Sequence, residues 1–136
     1  MTKSVSPLIN EILSVKTNEQ TRCIEIQVAG VLKSDDVIHL LEQIKAAQPE
    51  NQVYSRLYDF SEIDIDVSVQ EFDRILSHAQ KLFKVRGVIY KAAFVALDPF
   101  VRQLAELYKS ASRPYGFNDI ECFSSVGEAK AWLAEK

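Results

Sequence analysis

Apolar and polar residues change their spacing several times along the chain, and each change marks an element. Residues 21–29, TRCIEIQVA, set Ile24, Ile26 and Val28 against Cys23, Glu25 and Gln27. That alternation belongs to a strand with one face buried, and Gly30 is expected to end it. Upstream, Leu8 to Val15 fits either a helix begun at Ser6-Pro7 or a strand along Ile9, Leu13 and Val15. We adopt the strand, with the polar segment Lys16–Gln20 turning an antiparallel hairpin. From Ser34 the period lengthens. Ser34 is placed to cap, Asp35 and Asp36 suit the positive end of a helix dipole, and Val37, Ile38, Leu41 and Ile44 form one stripe that stops near Gln48-Pro49.

Val53 to Phe60, VYSRLYDF, reads as a strand running into an acidic loop. Ser68 with Glu71 then makes a capping box, flanked by a Val67–Phe72 hydrophobic staple. The helix so begun carries Phe72, Ile75, Leu76, Ala79, Leu82 and Phe83 on one face, with Gly87 as its stop. Val88 to Leu97 contains the run KAAFVAL, apolar enough to be covered on both faces. Asp98-Pro99 pairs a cap with a first-turn proline, opening a helix to about Arg113-Pro114. Ile120 to Phe123 is a short strand, and Ser125 with Glu128 repeats the capping box ahead of Ala129, Trp132 and Leu133. The order β-β-α-β-α-β-α-β-α predicts a two-layer α/β sandwich. Its sheet of about five strands is mainly parallel with an antiparallel N-terminal hairpin, and about four helices pack on it. No repeat, low-complexity tract or Pro/Gly-rich linker interrupts residues 1–136, so one domain is expected.

These residues resemble the SpoIIAA-like, or STAS-like, proteins. The likeness lies in the opening hairpin, the strand ending in Asp59-Phe60-Ser61, the helix after an acidic loop, the small apolar strand Ala92 to Leu97, and the tail from Phe123 to Leu133. It spans about Leu8 to Leu133. The resemblance implies a fold shared by anti-anti-sigma phosphoswitches, cytoplasmic domains of anion transporters and many stand-alone bacterial proteins, so it implies regulation through protein contacts more than catalysis. The related CRAL-TRIO proteins bind lipids, which adds an apolar ligand to what is implied. In the phosphoswitch members a serine in a D-S-[ST]-G-like motif receives phosphate. Here the stretch is Asp66-Val67-Ser68-Val69, without the second hydroxyl or the glycine, and a phosphate on Ser68 would face Glu62, Asp64, Asp66, Glu71 and Asp73. A domain without the phosphoserine switch is therefore expected.

Composition narrows the function classes. The 136 residues carry 16 basic and 19 acidic side chains for a net charge of −3, which argues against affinity built on phosphate neutralisation and hence against nucleic acid. Cys23 and Cys122 stand far apart with no C-x-x-C partner, the pattern of buried inert thiols in a reducing compartment. No signal-type start and no apolar run of membrane-spanning length appears, so a cytoplasmic protein is expected. His39 and His78 read as surface residues, no nucleophile motif accompanies them, and a non-enzymatic protein without cofactor or metal follows. The run Glu62, Asp64, Asp66 and Asp73 imitates calcium-loop spacing, but Val67 stands where the turn glycine belongs.

Charge is distributed in blocks: residues 59–73 hold six acidic and no basic residues, and 81–113 hold seven basic against two acidic. Two site expectations follow. Glu62, Asp64, Asp66, Ser68 and Glu71 form a surface for a protein partner or for self-association as a homodimer. Phe83, Phe100, Leu104 and Tyr108 form a pocket between the second and third helices for a lipid-like or anionic small ligand.

Overall fold

A computed structural model describes residues 10–49, 52–84 and 88–135, with the side chains of 10–13 and 69 left aside. These residues form a sheet of five strands whose spatial order equals their chain order: β1 (Asn10–Asn18), β2 (Cys23–Lys33), β3 (Ser55–Asp66), β4 (Tyr90–Val95) and β5 (Asn118–Phe123). β1 is antiparallel to β2, and every later pair is parallel. The hairpin turns at Glu19–Arg22 rather than over Lys16–Gln20, because Lys16 to Asn18 still pair with β2. There the Asn18 Oδ1 accepts from the backbone N–H groups of Gln20 and Thr21, the side-chain turn that Asn favours. Residues 6–9 and Gly87 lie outside the described residues.

Four helices complete the chain: α1 (Ser34–Ala47), α2 (Val69–Phe83), α3 (Pro99–Ser112) and α4 (Val126–Leu133). Caps fix most of their starts. Asp98 accepts from the Val101 N–H at 3.0 Å and Ser125 from the Glu128 N–H at 3.1 Å. At α1 the cap differs from the expectation: Lys33 occupies it, its N–H donating to the Asp36 carboxylate at 2.9 Å, while Ser34 is the first helical residue and is buried.

Parallel strands laid down in chain order, with crossovers of one hand, bring successive helices to one face of the sheet. α1, α2 and α3 accordingly bury Leu40, Leu41, Ile44, Ile75, Ala79 and Val101 against Ile24, Ile26, Tyr58 and Phe94. α4 follows the last strand and covers the opposite face, where Ala129 meets Cys23, Leu57, Ala93 and Val95. β4 is thus buried on both sides, which is why its sequence lacks alternation.

Two elements run further than their sequence suggests. Gly30 does not end β2. Its φ of +99° bends the chain, a conformation open to glycine, while pairing continues to Lys33. Likewise β3 does not pass into an acidic loop after Phe60 but continues to Asp66. Between Gln27↔Asp59 and Ala29↔Glu62 the register gains one residue on β3, a bulge held by the Asp59 Oδ1, which accepts from the Ser61 hydroxyl at 2.6 Å and the Ser61 N–H at 3.2 Å. The β3–β4 ladder stops at Asp59↔Val95, so beyond the bulge β2 and β3 project as a two-stranded ribbon.

One buried charge stands in the main core. Arg56 has 0% exposure, and its guanidinium lies 3.7 Å from the Phe83 ring centroid and 4.0 Å from that of Tyr90. Its Nη2 donates to the Gln48 Oε1 at 3.1 Å, and among the described residues its Nε and Nη1 have no partner. A planar, weakly hydrated cation fits between two rings as an ammonium does not. Arg56→Lys is expected to lower the unfolding free energy by about 2–4 kcal/mol and Arg56→Met by less. Urea titration checks this, and a lysine variant as stable as the parent would refute the stacked geometry as the reason for arginine.

Candidate functional site: an apolar cavity and an acidic ribbon

The three helices do not fill the space above the sheet. A cavity of about 90 Å³, partly open to solvent, remains between them. Its floor is the aromatic surface of β3 and β4, where the Tyr58 and Phe94 rings stack 4.5 Å apart and Phe60 tilts against Phe94 at 5.5 Å. α1 contributes Val37, Leu40 and Leu41, α2 contributes Phe72 and Ile75, and α3 contributes Leu104, Ala105 and Tyr108. The ribbon closes one end with Leu32, Ile65 and Val67. The stapling residues Val67 and Phe72 therefore both belong to the cavity wall, as half-buried residues of its rim.

Of the side chains that line the cavity, only Tyr58 and Tyr108 carry a polar atom. Burial pushes both phenols up, Tyr58 to about 12 and Tyr108 well above the ordinary value of 10.0, so both stay neutral hydroxyls at physiological pH.

Of the residues expected to form a pocket between α2 and α3, Leu104 and Tyr108 line this cavity, whereas Phe83 and Phe100 do not. Phe83 is held below the guanidinium of Arg56, and Phe100 is 53% exposed on the outer side of the first turn of α3. Helical spacing alone does not distinguish the inner from the outer edge of a stripe. The contributions of Tyr58, Phe60 and Phe94 were hidden in sequence because strand alternation marks them only as core.

The acidic residues take up a different arrangement from a loop. Glu62, Asp64 and Asp66 alternate along β3 with Ile63 and Ile65, whose side chains turn to the helical face. The three carboxylates consequently share the opposite face of the ribbon, exposed. Ser68 and Glu71 come together past its end. The Glu71 Oε1 accepts from the Ser68 N–H at 3.0 Å and from the Ser68 hydroxyl at 3.0 Å, within the expected capping box. Ser68 therefore spends its hydroxyl on a carboxylate. Among the described residues no three His, Cys, Asp or Glu side chains converge as metal ligands.

Three of the seven cations of the basic block, Lys91, Arg102 and Lys109, are engaged within the molecule. Lys91 donates to the Trp132 and Glu135 carbonyls at 3.0 and 2.9 Å, Arg102 to the Cys122 carbonyl and the Ser124 hydroxyl, and Lys109 to Glu121 at 3.0 Å. His39 meets Gln43 at 3.0 Å, and His78 faces Glu42 at 3.3 Å across the α1–α2 contact. Burial raises both thiols, that of Cys122 to about 11, so neither is a thiolate at neutral pH.

The architecture is an open α/β domain with three helices on one face, a lone helix on the other and a projecting two-stranded ribbon. The family model described as SpoIIAA-like matches residues 23–134. The chain belongs to the SpoIIAA-like family. Among solved structures it is similar to an uncharacterized protein from the DUF3478 family, with a SpoIIAA-like fold, from Shewanella loihica PV-4. The TM-score is 0.58 and the identity 14%, covering 91% of this chain and 93% of that one. No curated protein matches the chain. At that identity the structural likeness carries the fold alone. Among the described residues no helix is long and apolar enough to cross a membrane.

The cap yields a pH signature. Donation from the Ser68 N–H, then from nearby hydroxyls, holds Glu71 below the ordinary 4.5. A carboxyl lowered on folding stabilises the protein fully above its unfolded value, and that contribution disappears as pH falls through the folded one. Wild type and Glu71→Gln are expected to differ in urea midpoint at pH 7 and to converge near pH 3. A constant gap across that range would contradict the assignment.

Proposed function

We propose that the chain is one non-enzymatic SpoIIAA-like domain that works by binding a protein partner through the ribbon, without a phosphoserine switch. The observation behind this reading is the β2–β3 extension past the bulge. It carries Glu62, Asp64 and Asp66 on one exposed face, and on the side away from β2 its strand β3 has left β4. An unpaired strand edge invites a further strand, and its carboxylates select one bearing Lys or Arg over an acidic one. The engagement of Lys91, Arg102 and Lys109 within the fold weakens the basic block as a counterpart, which favours a basic partner over head-to-tail self-association. Ser68, tied to Glu71 and surrounded by carboxylates, acts in this reading as a cap. The double reversal Asp64→Lys, Asp66→Lys is expected to remove proteins captured by the tagged parent chain while its circular dichroism and urea midpoint stay as in the parent. Undiminished capture would sink the ribbon as the binding surface.

A second reading has its own observation, the cavity between α1, α2 and α3: a carrier or sensor of a small apolar ligand. Filling a partly open apolar space removes lining atoms from water and restores missing contacts. Native mass spectrometry of freshly purified chain is then expected to show an adduct that is lost on denaturation. A single unliganded mass from several expression hosts would count against it.

A further inference from the structure

A second concavity lies on the α4 side of the sheet, and we infer that it binds a small zwitterion, a molecule carrying one ammonium and one carboxylate group. The ladder register lays out its floor. On one level Lys16 of β1 stands beside Glu25 of β2, and Glu25 beside Leu57 of β3; on the next level the row is Ser14, Gln27 and Asp59. Alternation along each strand turns all six toward the face where Cys23 and Leu57 meet α4. Three strands and two levels give a backbone frame about 10 Å by 7 Å, from strand spacing and rise. Val126 and Lys130 of α4 form a wall, and the space between is about 190 Å³, partly open to solvent.

Two β-bulges shape this floor. β1 gains a residue between Ile12 and Ser14, opposite Val28 and Gln27, and β3 gains one between Asp59 and Glu62, opposite Gln27 and Ala29. The same stretch of β2 is therefore flanked by bulges on both sides, and bulges bend strands and re-aim their side chains. Charge then specifies the ligand. The lining carries two cations, Lys16 and Lys130, and two carboxylates, Glu25 and Asp59. Among the described residues none of the four joins an ion pair, although Lys16 and Glu25 are cross-strand neighbours of the kind that ordinarily pair. Glu25 accepts from Asn18 through Oε2 alone and Asp59 from Ser61 through Oδ1 alone, so each keeps one oxygen unpartnered among the described residues. An ammonium lodged between Glu25 and Asp59 meets both carboxylates, and the ligand's own carboxylate reaches Lys16 on the β1 side or Lys130 on the wall. A simple anion gains the lysines but faces the carboxylates, a metal cation meets the reverse, and an uncharged polyol leaves all four charges unpaired.

The test is an amide NMR titration of the full chain with glycine, 4-aminobutanoate and 6-aminohexanoate, which vary the separation of the two charges. Butanoate and butylammonium, each keeping one charge, are the controls. Saturable shifts at the amides of Ser14, Gln27 and Asp59 are expected with at least one zwitterion, and binding about tenfold weaker or less with either control. Glu25→Gln, and separately the pair Lys16→Gln with Lys130→Gln, are each expected to weaken that zwitterion about tenfold, with circular dichroism reporting the fold. Should one variant fail to fold, the other carries the comparison. Butanoate binding as tightly as the zwitterion would make the cleft an anion site, and butylammonium doing so a cation site; either overturns the inference. Silence of all five compounds at these amides overturns it too, as does zwitterion binding that neither variant weakens.

Discussion

The hydrogen bonds from Ser61 to the Asp59 carboxylate are local, yet the ribbon and one end of the cavity depend on them. By holding an extra residue in β3, they shift its register against β2 just where its ladder with β4 ends. A bulge bends and twists a strand, and here β2 and β3 continue together as a ribbon while the chain of β4 departs into α3. Two consequences come from that one event. The ribbon carries Leu32 and Ile65 over the sheet as an end wall of the cavity, and on its other face it holds three carboxylates in a row. The period of two in the sequence, acidic against isoleucine, assigns each set to its side.

Below the bulge the core is built around a charge. Arg56 places a guanidinium between Phe83 and Tyr90, joining the end of α2 to the start of β4, and its one hydrogen bond to Gln48 reaches the end of α1. A buried cation is costly unless it is stacked or bonded, and here the aromatic faces supply much of the compensation. The same arrangement explains why Phe83, expected in a ligand pocket, lies away from the cavity: it serves the N-terminal ends of the strands, whereas the cavity opens toward their carboxyl ends, the usual side for ligands in open α/β sheets.

The near-neutral total charge conceals different uses of the two signs. Lys91 binds carbonyls at the end of α4 and lies 4.8 Å from the Trp132 ring centroid, Arg102 covers a carbonyl of β5, and Lys109 ties α3 to that same strand. These cations fasten the far side of the sheet and protect an edge strand. Exposed carboxylates on the ribbon have no equivalent duty. A block of like charge in the sequence therefore includes residues with separate internal partners, since Lys91, Arg102 and Lys109 each reach a different acceptor.

The sequence by itself determined the element order, the caps at Asp98 and Ser125 and the both-sides burial of β4, since each follows from period, capping chemistry or composition within a few residues. It also marked Leu104, Tyr108 and the carboxylates Glu62, Asp64 and Asp66 as residues to watch. Only the tertiary structure decided that β2 continues through Gly30 and β3 through Phe60, because a neighbouring strand supplies hydrogen bonds that outweigh local turn preference. It likewise decided that Phe100 points outward, that Tyr58, Phe60 and Phe94 form a cavity floor, and that α4 lies alone on the second face. Such features arise from the meeting of surfaces remote in sequence, and no local pattern records how completely two surfaces fill the space between them.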